Sequence, residues 1–520
     1  MTIVASEQRI ASAFFVLYGQ YADVTRYAQQ RGVCRQWLYR EAAALRHLLA
    51  TAQHEVAALR QQLRQAHQER ATFQARLAQA VVLDADKQAE VACVGQARGV
   101  TLRDCHALLD VVLAGHGLSV AELGRRTRAA GARAGELLAV LDDVARQKVH
   151  EAAADEIYVK DPVLMVVEPD SLCWLSGRLT DTVSGDAWAE QFAALPHLEQ
   201  VTRDGGTGLA KGVALVNEQR QAAQRPGVVD QGDHFHALRH GRVGLTKAQR
   251  QAAQALAAAE AAQKDLDTCA RHGQTRAGIA TRVSHAWKKA EQAMDRWQQR
   301  ERLWEQAKQA LHLVTPDGAV NTRAQAEAVL AETLPQLPDA DFAKAKRHLR
   351  QPELLNYLDR VQAQVAALPF ADEVKQAAVR QEGLRRRPEA VQGPTPTAAA
   401  RRGVLLVCAV VLSKAGDDGA RAVAAVKDLL RRAYRASSLV ECLNSVLRMH
   451  QAGHRRMTQG LLDLKRLYWN CHRFSAGRRR KTTPYERLGV PWPADLPWWK
   501  VLKLTPEQLR DKLSTTTMPI

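Results

Sequence analysis

Asp155, Asp204 and Glu441 stand where a carboxylate can do more than meet solvent. Asp155 begins the short strand DEIYVK, residues 155–160. Asp204 follows the strand LEQVTR and opens the turn DGGTG. There its side chain can point into a cleft at a sheet edge. A tight turn whose backbone Asp204 merely bonds is an equal reading. The GGTG run is too short and wrongly spaced for a P-loop or a dinucleotide fingerprint. Glu441 is the one acid of the helix SSLVECLNSVLR, residues 437–448, capped by Ser437 or Ser438. For most such charges a surface ion pair is the better reading. Here Asn444 and Arg448 repeat along the same face at i+3 and i+7, which favours the third carboxylate of a metal site. Asp233-x-x-His236 can touch a metal or a phosphate, and capping of the next helix by Asp233 is an equal alternative. Glu168 and Asp233 are the reserve candidates for a third ligand. Hard divalent cations prefer such oxygen donors.

These residues need a sheet to hold them. DEIYVK, then VLMVVE (163–168), then SLCWLSGRL (171–179) predict three meander strands, with Asp161-Pro162 breaking the first from the second. A turn and helix around Trp188 and Phe192, the strand at 198–203, another helix and a short strand at 227–230 follow. This is the order of an RNase H-like α/β sheet, with its first part over 151–244 and its second, bearing Glu441, over 431–490. Between them, 245–430 reads as a long helical insertion. Residues 385–396 read as a loop, and the apolar run Val404–Leu412 as a buried helix.

The N-terminal segment has a different grammar. Within residues 1–50, Ala28, Gly32 and Leu38 have the spacing of a helix-turn-helix: a small residue at the crossing, a left-handed turn and an apolar anchor. Arg35, Gln36, Tyr39 and Arg40 would then face a major groove. A plain helical hairpin is the alternative. From Ala42 to Ala80 an unbroken heptad runs through Leu45, Leu49, Ala52, Val56, Leu59, Leu63, Ala66, Arg70, Phe73 and Leu77, which predicts a coiled coil pairing two subunits. Residues 100–150 predict a second helical unit. Ser119 caps its helix, Gly131 turns it, and the pattern is either helix-turn-helix-like or a three-helix spacer. Residues 491–520 read as a C-terminal tail.

Composition narrows the class. The 520 residues carry 73 Lys and Arg against 55 Asp and Glu, a formal charge of +18 that suits a polyanion. Residues 431–481 hold much of it. Arg448, Arg455, Arg456, Arg478, Arg479, Arg480 and Lys481 are candidates for DNA phosphate contacts. Aromatics are only 5%, which favours helices over a β-sandwich. None of the eight cysteines forms a CxxC pair, so neither a disulfide scaffold nor a zinc ribbon is expected, and Cys173 and Cys408 read as packed thiols. No run of 18 apolar residues and no signal-peptide pattern is present, so a cytoplasmic chain without a membrane span is expected.

The stretches ADEIYVKDPVLMVVEPDS, VTRDGGTGLAKGV, GDHFHALRHG, SSLVECLNSVLRMH and the closing LLDLKRLYWNCHRFSAGRRRKTTPYERLGV resemble, in that order, the DDE-type transposases of bacterial insertion sequences. The likeness covers roughly 150–240 and 430–490. It implies an RNase H-like catalytic core and a catalytic and metal-binding triad at Asp155, Asp204 and Glu441. It also implies two Mg2+ ions (Mn2+ as a substitute) and cleavage and joining of double-stranded DNA at transposon ends and target by a dimer or higher oligomer, in a bacterial, nucleoid-associated setting. In-line displacement at phosphorus needs no protein nucleophile, which agrees with an all-carboxylate set. The long insertion before Glu441 departs from the compact pattern of the family. A non-catalytic DNA-binding regulator and a nuclease without strand transfer are the alternatives.

Overall fold

The computed structural model describes residues 2–20, 22–79, 83–113, 115, 117–272, 277–388, 391–453, 456–493 and 496–516. The chain is mostly helical, with one small mixed sheet. It divides into two compact units, Met1–Asp84 and Ala85–Ile520.

In the first unit α1 (Thr2–Tyr18) and α2 (Asp23–Arg31) pack on the start of α3 (Arg35–Gln79). Gly32 ends α2 at φ 62°, donating its N–H back to the carbonyls of Ala28 and Gln29. A left-handed residue there is nearly free for glycine and costly for most others. Ala28 and Leu38 are buried, while Arg35, Gln36, Tyr39 and Arg40 are exposed. The heptad lies on α3, although Ala80 falls outside the described residues.

The second unit opens with α4 (Ala85–Arg98), α5 (Leu102–Val112) and α6 (Val120–Arg146). Ser119 caps α6 by accepting from the Glu122 amide at 3.2 Å. The turn expected at Gly131 is absent, because α6 runs through it unbroken. Gly131 instead allows a close helix crossing. A Cβ there would stand 2.6 Å from the Gly460 carbonyl oxygen on α18 (Gln459–Cys471). Nor is this a separate spacer domain, since Cys93, Ala134, Leu137 and Leu141 share one core with the sheet.

The sheet is built of β1 (Glu151–Val159), β2 (Asp161–Glu168), β3 (Cys173–Leu179), β4 (Gln200–Arg203) and β5 (Val229–Gly232). Its order is β3-β2-β1-β4-β5. The first three strands pair antiparallel, and β4 and β5 run parallel to β1. β1 starts four residues before the expected point, so Asp155 sits mid-strand. The AAA run at 152–154 hid the start, since alanine carries little strand signal. The β1–β2 break is a tight turn at Lys160, with φ 82°. Between strands lie α7 (Gly185–Ala193) and α8 (Thr207–Ala222), whose Trp188, Phe192, Leu209 and Val213 cover one face. Residues of β1 alternate between the faces. Ala153, Ile157 and Val159 therefore turn the other way, under Val440, Leu443 and Leu447 of α17 (Ser438–Gly453).

The insertion has no break at 245. It is entered by α9 (His234–Arg271), which leaves the end of β5 and pairs with α10 (Ala277–Ala310). Next come α11 (Arg323–Gln336), α12 (Asp339–Leu349), a 3-10 turn at Pro352–Leu355, α13 (Asn356–Ala366), α14 (Asp372–Arg385), α15 (Pro396–Lys414) and α16 (Asp417–Arg432), around a second core. The 3-10 turn and α13 cover the β5 edge. The Gln231 side chain donates to the Leu354 carbonyl and accepts from the Tyr357 amide, and Asn356 donates to the Asp230 carbonyl. Covering an edge in this way is one means by which a sheet avoids pairing with another strand. The run Val404–Leu412 is helical, as expected, but not buried. Leu406, Val407 and Val410 are exposed, and only Ala398, Cys408 and Leu412 of α15 are buried. This helix is long and apolar enough to cross a membrane by length and composition alone.

The expected tail is also part of the core. After α19 (Pro484–Leu488), α20 (Trp498–Val501) and α21 (Pro506–Thr515) bury Trp498, Val501, Leu509 and Leu513 beside Leu464 and Tyr485.

Candidate active site at the end of three parallel strands

The pairing register sets the site. Ala154 is level with Arg203, and Arg203 with Gly232. The next residues along the chain are Asp155, still within β1, and Asp204 and Asp233, just past the ends of β4 and β5. Three aspartates thus stand in one row across β1, β4 and β5, with strands roughly 4.8 Å apart. For β4 and β5 the row is at the carboxyl end, the usual place for ligands on parallel strands.

Asp155 is 7% exposed. Asn444 on α17 donates to its Oδ2 at 2.8 Å and is itself buried, with its Oδ1 lacking a hydrogen-bond partner. Burial, and after it the carboxylates of Asp204, Glu156 and Glu441, push Asp155 up to about 7. Glu441, one turn before Asn444, therefore lies on the same side of the site, 286 positions from Asp155 in sequence (441 − 155). It also pairs with Arg448 at 2.9 Å, the ion pair weighed as its alternative role. Asp204 accepts from the Gly206 amide at 2.9 Å, as the turn-bonding reading expected, and still faces Asp155. Glu156 on the opposite face of β1 was not foreseen. Burial and then Asp204 raise it to about 7.

Asp233 caps α9, accepting from the Phe235 amide at 2.8 Å. It also accepts from the Ser437 amide and hydroxyl at 3.1 and 3.0 Å, and contacts His236 Nδ1 at 2.5 Å. Burial alone would raise this carboxyl, but His236 and those donors hold it low. His236 is raised in turn, first by the bond to Asp233 and further by the charges of Asp204 and Asp155. Asp233 is thus committed to clipping the entry of the insertion to its exit, with the His234 amide donating to the Arg435 carbonyl alongside. Ser437, offered as a cap, serves this clip. Glu168 bonds the amides of Asp170 and Ser171 in the β2–β3 turn. Both reserve candidates are thus engaged in holding a turn or a helix end.

The insertion also reaches the site. A Cβ on Gly205 would stand 3.5 Å from His348, at the end of α12, and His348 stacks on His240 of α9. Arg203 is buried beneath Asp204, held by Asp230 at 2.6 Å and by Glu353 of the insertion at 3.3 Å. No local pattern announced His348 or Glu353.

The basic field is less open than its composition suggests. Lys465 is buried, donating to the terminal carbonyls of α4 at Gln96 and Ala97, and Arg466 is buried against Asp142. Arg479 bonds the carbonyls of Asp170 and Pro169 and so belongs to the fold. Arg456, Arg480 and Lys481 are exposed, as is Arg448. Arg455 and the side chain of Arg478 lie outside the described residues.

Among the described residues no three His, Cys, Asp or Glu side chains form a ready cage for one ion. Mg2+ does not require one. It keeps several waters and takes one or two carboxylates per ion. The crowded, mutually repelling carboxylates and the unpartnered Asn444 Oδ1 are hard donors of the right kind.

The Asp155 carboxyl titrates higher in the fold than in the unfolded chain, so its cost is small at pH 4 and grows as pH rises toward 7. Asp155→Asn is therefore expected to stabilise the metal-free protein at pH 8, on the order of 2 kcal/mol. At pH 4 it should change little. Urea melts in EDTA at both pH values measure this, and equal effects at the two would contradict it.

No known protein family, curated protein or solved structure matches this chain.

Proposed function

We propose that this chain is a DDE-type transposase that cleaves and joins DNA with Asp155, Asp204 and Glu441 as its metal-binding carboxylates. The observation that carries the reading is the convergence of Asp204 and Glu441 on the buried Asp155, from a separate strand and from a helix beyond the insertion. The sheet order β3-β2-β1-β4-β5 supports an RNase H-like core. The buried Ala28 and Leu38 around a left-handed Gly32 support a helix-turn-helix.

Bound at these carboxylates, two Mg2+ or Mn2+ ions would activate water or a 3′-hydroxyl and stabilise the leaving oxygen. The chain's own groups do the rest. Asn444 holds the Asp155 carboxylate toward α17 and away from free rotation. The Gly206 amide fixes Asp204. His236, braced by Asp233 and with its titration raised by that bond, offers a ring N–H donor beside the acids where a scissile phosphate would lie. Arg448, Arg456, Arg480 and Lys481 contribute phosphate contacts. Arg35, Gln36, Tyr39 and Arg40 read the end sequence, in the cytoplasm of a bacterial cell.

The Glu441–Arg448 pair favours a second reading, a DNA-binding regulator whose acids are structural. Duplexes taken from the DNA flanking the coding sequence, incubated with the protein and Mg2+, separate the readings. Nicking at a defined end and joining of the free 3′ end to plasmid DNA support a transposase. Nicking without joining supports a nuclease, and binding without nicking the regulator.

Arg35→Ala and Gln36→Ala should each reduce discrimination between end DNA and random DNA by about 1–3 kcal/mol. Competition binding at fixed salt measures it, and an unchanged preference would remove these residues from base reading.

A further inference from the structure

From Arg46 to Arg76 every residue of α3 is exposed. That stretch of about 30 residues extends roughly 45 Å at 1.5 Å per residue. Its heptad seam is bare: Leu59 is 63% exposed, Leu63 59% and Phe73 71%. A helix gains most of its stability from packing its apolar stripe, and a strict 3.5-residue repeat is matched by another helix with the same repeat. A second copy of this chain supplies one.

We propose that two copies pair through α3 in a parallel, in-register coiled coil. The flanks of the seam decide the orientation. With Leu49, Val56, Leu63 and Arg70 at the a positions and Ala52, Leu59, Ala66 and Phe73 at d, one flank carries Glu55 and Glu69 just before a. The other carries Arg46, Arg60 and His67 just after d. From residue 46 to residue 70 one edge is acidic and the other basic, and Arg76, before the a residue Leu77, is the one base on the acidic edge.

In a parallel pair the flank before a faces the partner's flank after d, one heptad on. Glu55 then meets the partner's Arg60, and the partner's Glu55 meets Arg60. Gln62 meets the partner's His67 without conflict. In an antiparallel pair like flanks meet, so acid would face acid and base would face base. The charge pattern therefore selects the parallel arrangement. In register, Arg70 faces the partner's Arg70 at an a position, and Glu69 beside it supplies the countercharge. A polar a residue of this kind fixes register at some cost in stability. The two N-terminal helical hairpins then emerge at the same end of the coil, side by side. Placed so, their exposed Arg35 and Arg40 faces belong to one bivalent surface. The inference stands apart from the catalytic reading, because it concerns only the first unit and is tested without DNA or metal.

Sedimentation equilibrium of the full chain at 0.15 M salt tests it. The wild-type protein should be a dimer, and Leu59→Asp with Leu63→Asp should make it monomeric with the melting of the second unit unchanged. Arg60→Glu should weaken the dimer by about tenfold, since it turns two attractions into two repulsions. Adding Glu55→Arg to Arg60→Glu should restore the affinity. A monomeric wild-type chain, a dimer that survives the two Asp substitutions, or a dimer tightened by Arg60→Glu would each overturn the proposal. The last would indicate an antiparallel pair.

Discussion

Asn in place of Asp155 or Asp204 is expected to lower Mg2+-dependent DNA cleavage by roughly 10^3-fold or more, with DNA affinity within about threefold of wild type. Asn keeps the size and hydrogen-bonding capacity of Asp but not its charge. At position 155 it can still accept from Asn444, so the contact between β1 and α17 survives. At position 204 it can still accept from the Gly206 amide. What each loses is the anionic oxygen that a divalent ion requires. Glu441→Gln should behave in the same way if Glu441 leaves Arg448 for a metal. If Glu441 serves only that ion pair, the Glu441→Gln protein should keep most of the cleavage. The same Asp155→Asn protein should be more stable than wild type at pH 8, so lost activity with gained stability excludes misfolding as the cause. Gel assays of strand nicking, with filter binding on the same duplex, measure both quantities. Cleavage by the Asp155→Asn or Asp204→Asn protein within tenfold of wild type would refute the assignment.

The second large effect concerns stability. Arg466→Met is expected to destabilise the protein by about 3–5 kcal/mol, because it strands Asp142 inside the core without its main countercharge. Arg466 and Asp142 are both buried where α18 crosses α6. Arg146, half exposed and 3.4 Å from Asp142, cannot replace the buried guanidinium. Asp142→Leu with Arg466→Met should recover most of the loss, since an apolar pair of similar volume carries no desolvation cost. Denaturant unfolding of the three proteins at pH 7 is the check. A loss under about 1 kcal/mol from Arg466→Met would show that the pair is solvated in solution.

Local events were legible in the chain alone, because their causes are local. Gly32 was readable as a left-handed turn, Ser119 as a cap and 163–168 as a buried strand from residue types a few positions apart. The heptad of α3 could be read for the same reason. Asp155 and Asp204 stood out because each belongs to a strand or its end, and Glu441 because it is a lone acid among bases. Asn444 was visible on the same helical face, though its bond to Asp155 was not.

Whatever depends on contacts across hundreds of positions had to wait for the packing. Gly131 looked like a turn, and a glycine in a helical pattern signals either a turn or a close neighbour. Only the approach of Gly460 settles which. The run at 404–412 had the composition of a core helix, yet the second core takes only one stripe of it. Lys465, Arg466 and Arg479 counted as surface charge until the fold placed carbonyls and Asp142 against them. The row of Asp155, Asp204 and Asp233 follows from parallel register, which no single strand encodes. Asp233 is bonded by Ser437, 204 positions away, a contact no local pattern announces. Short-range propensity is a property of the chain, whereas the partner of a buried charge is a property of the packing.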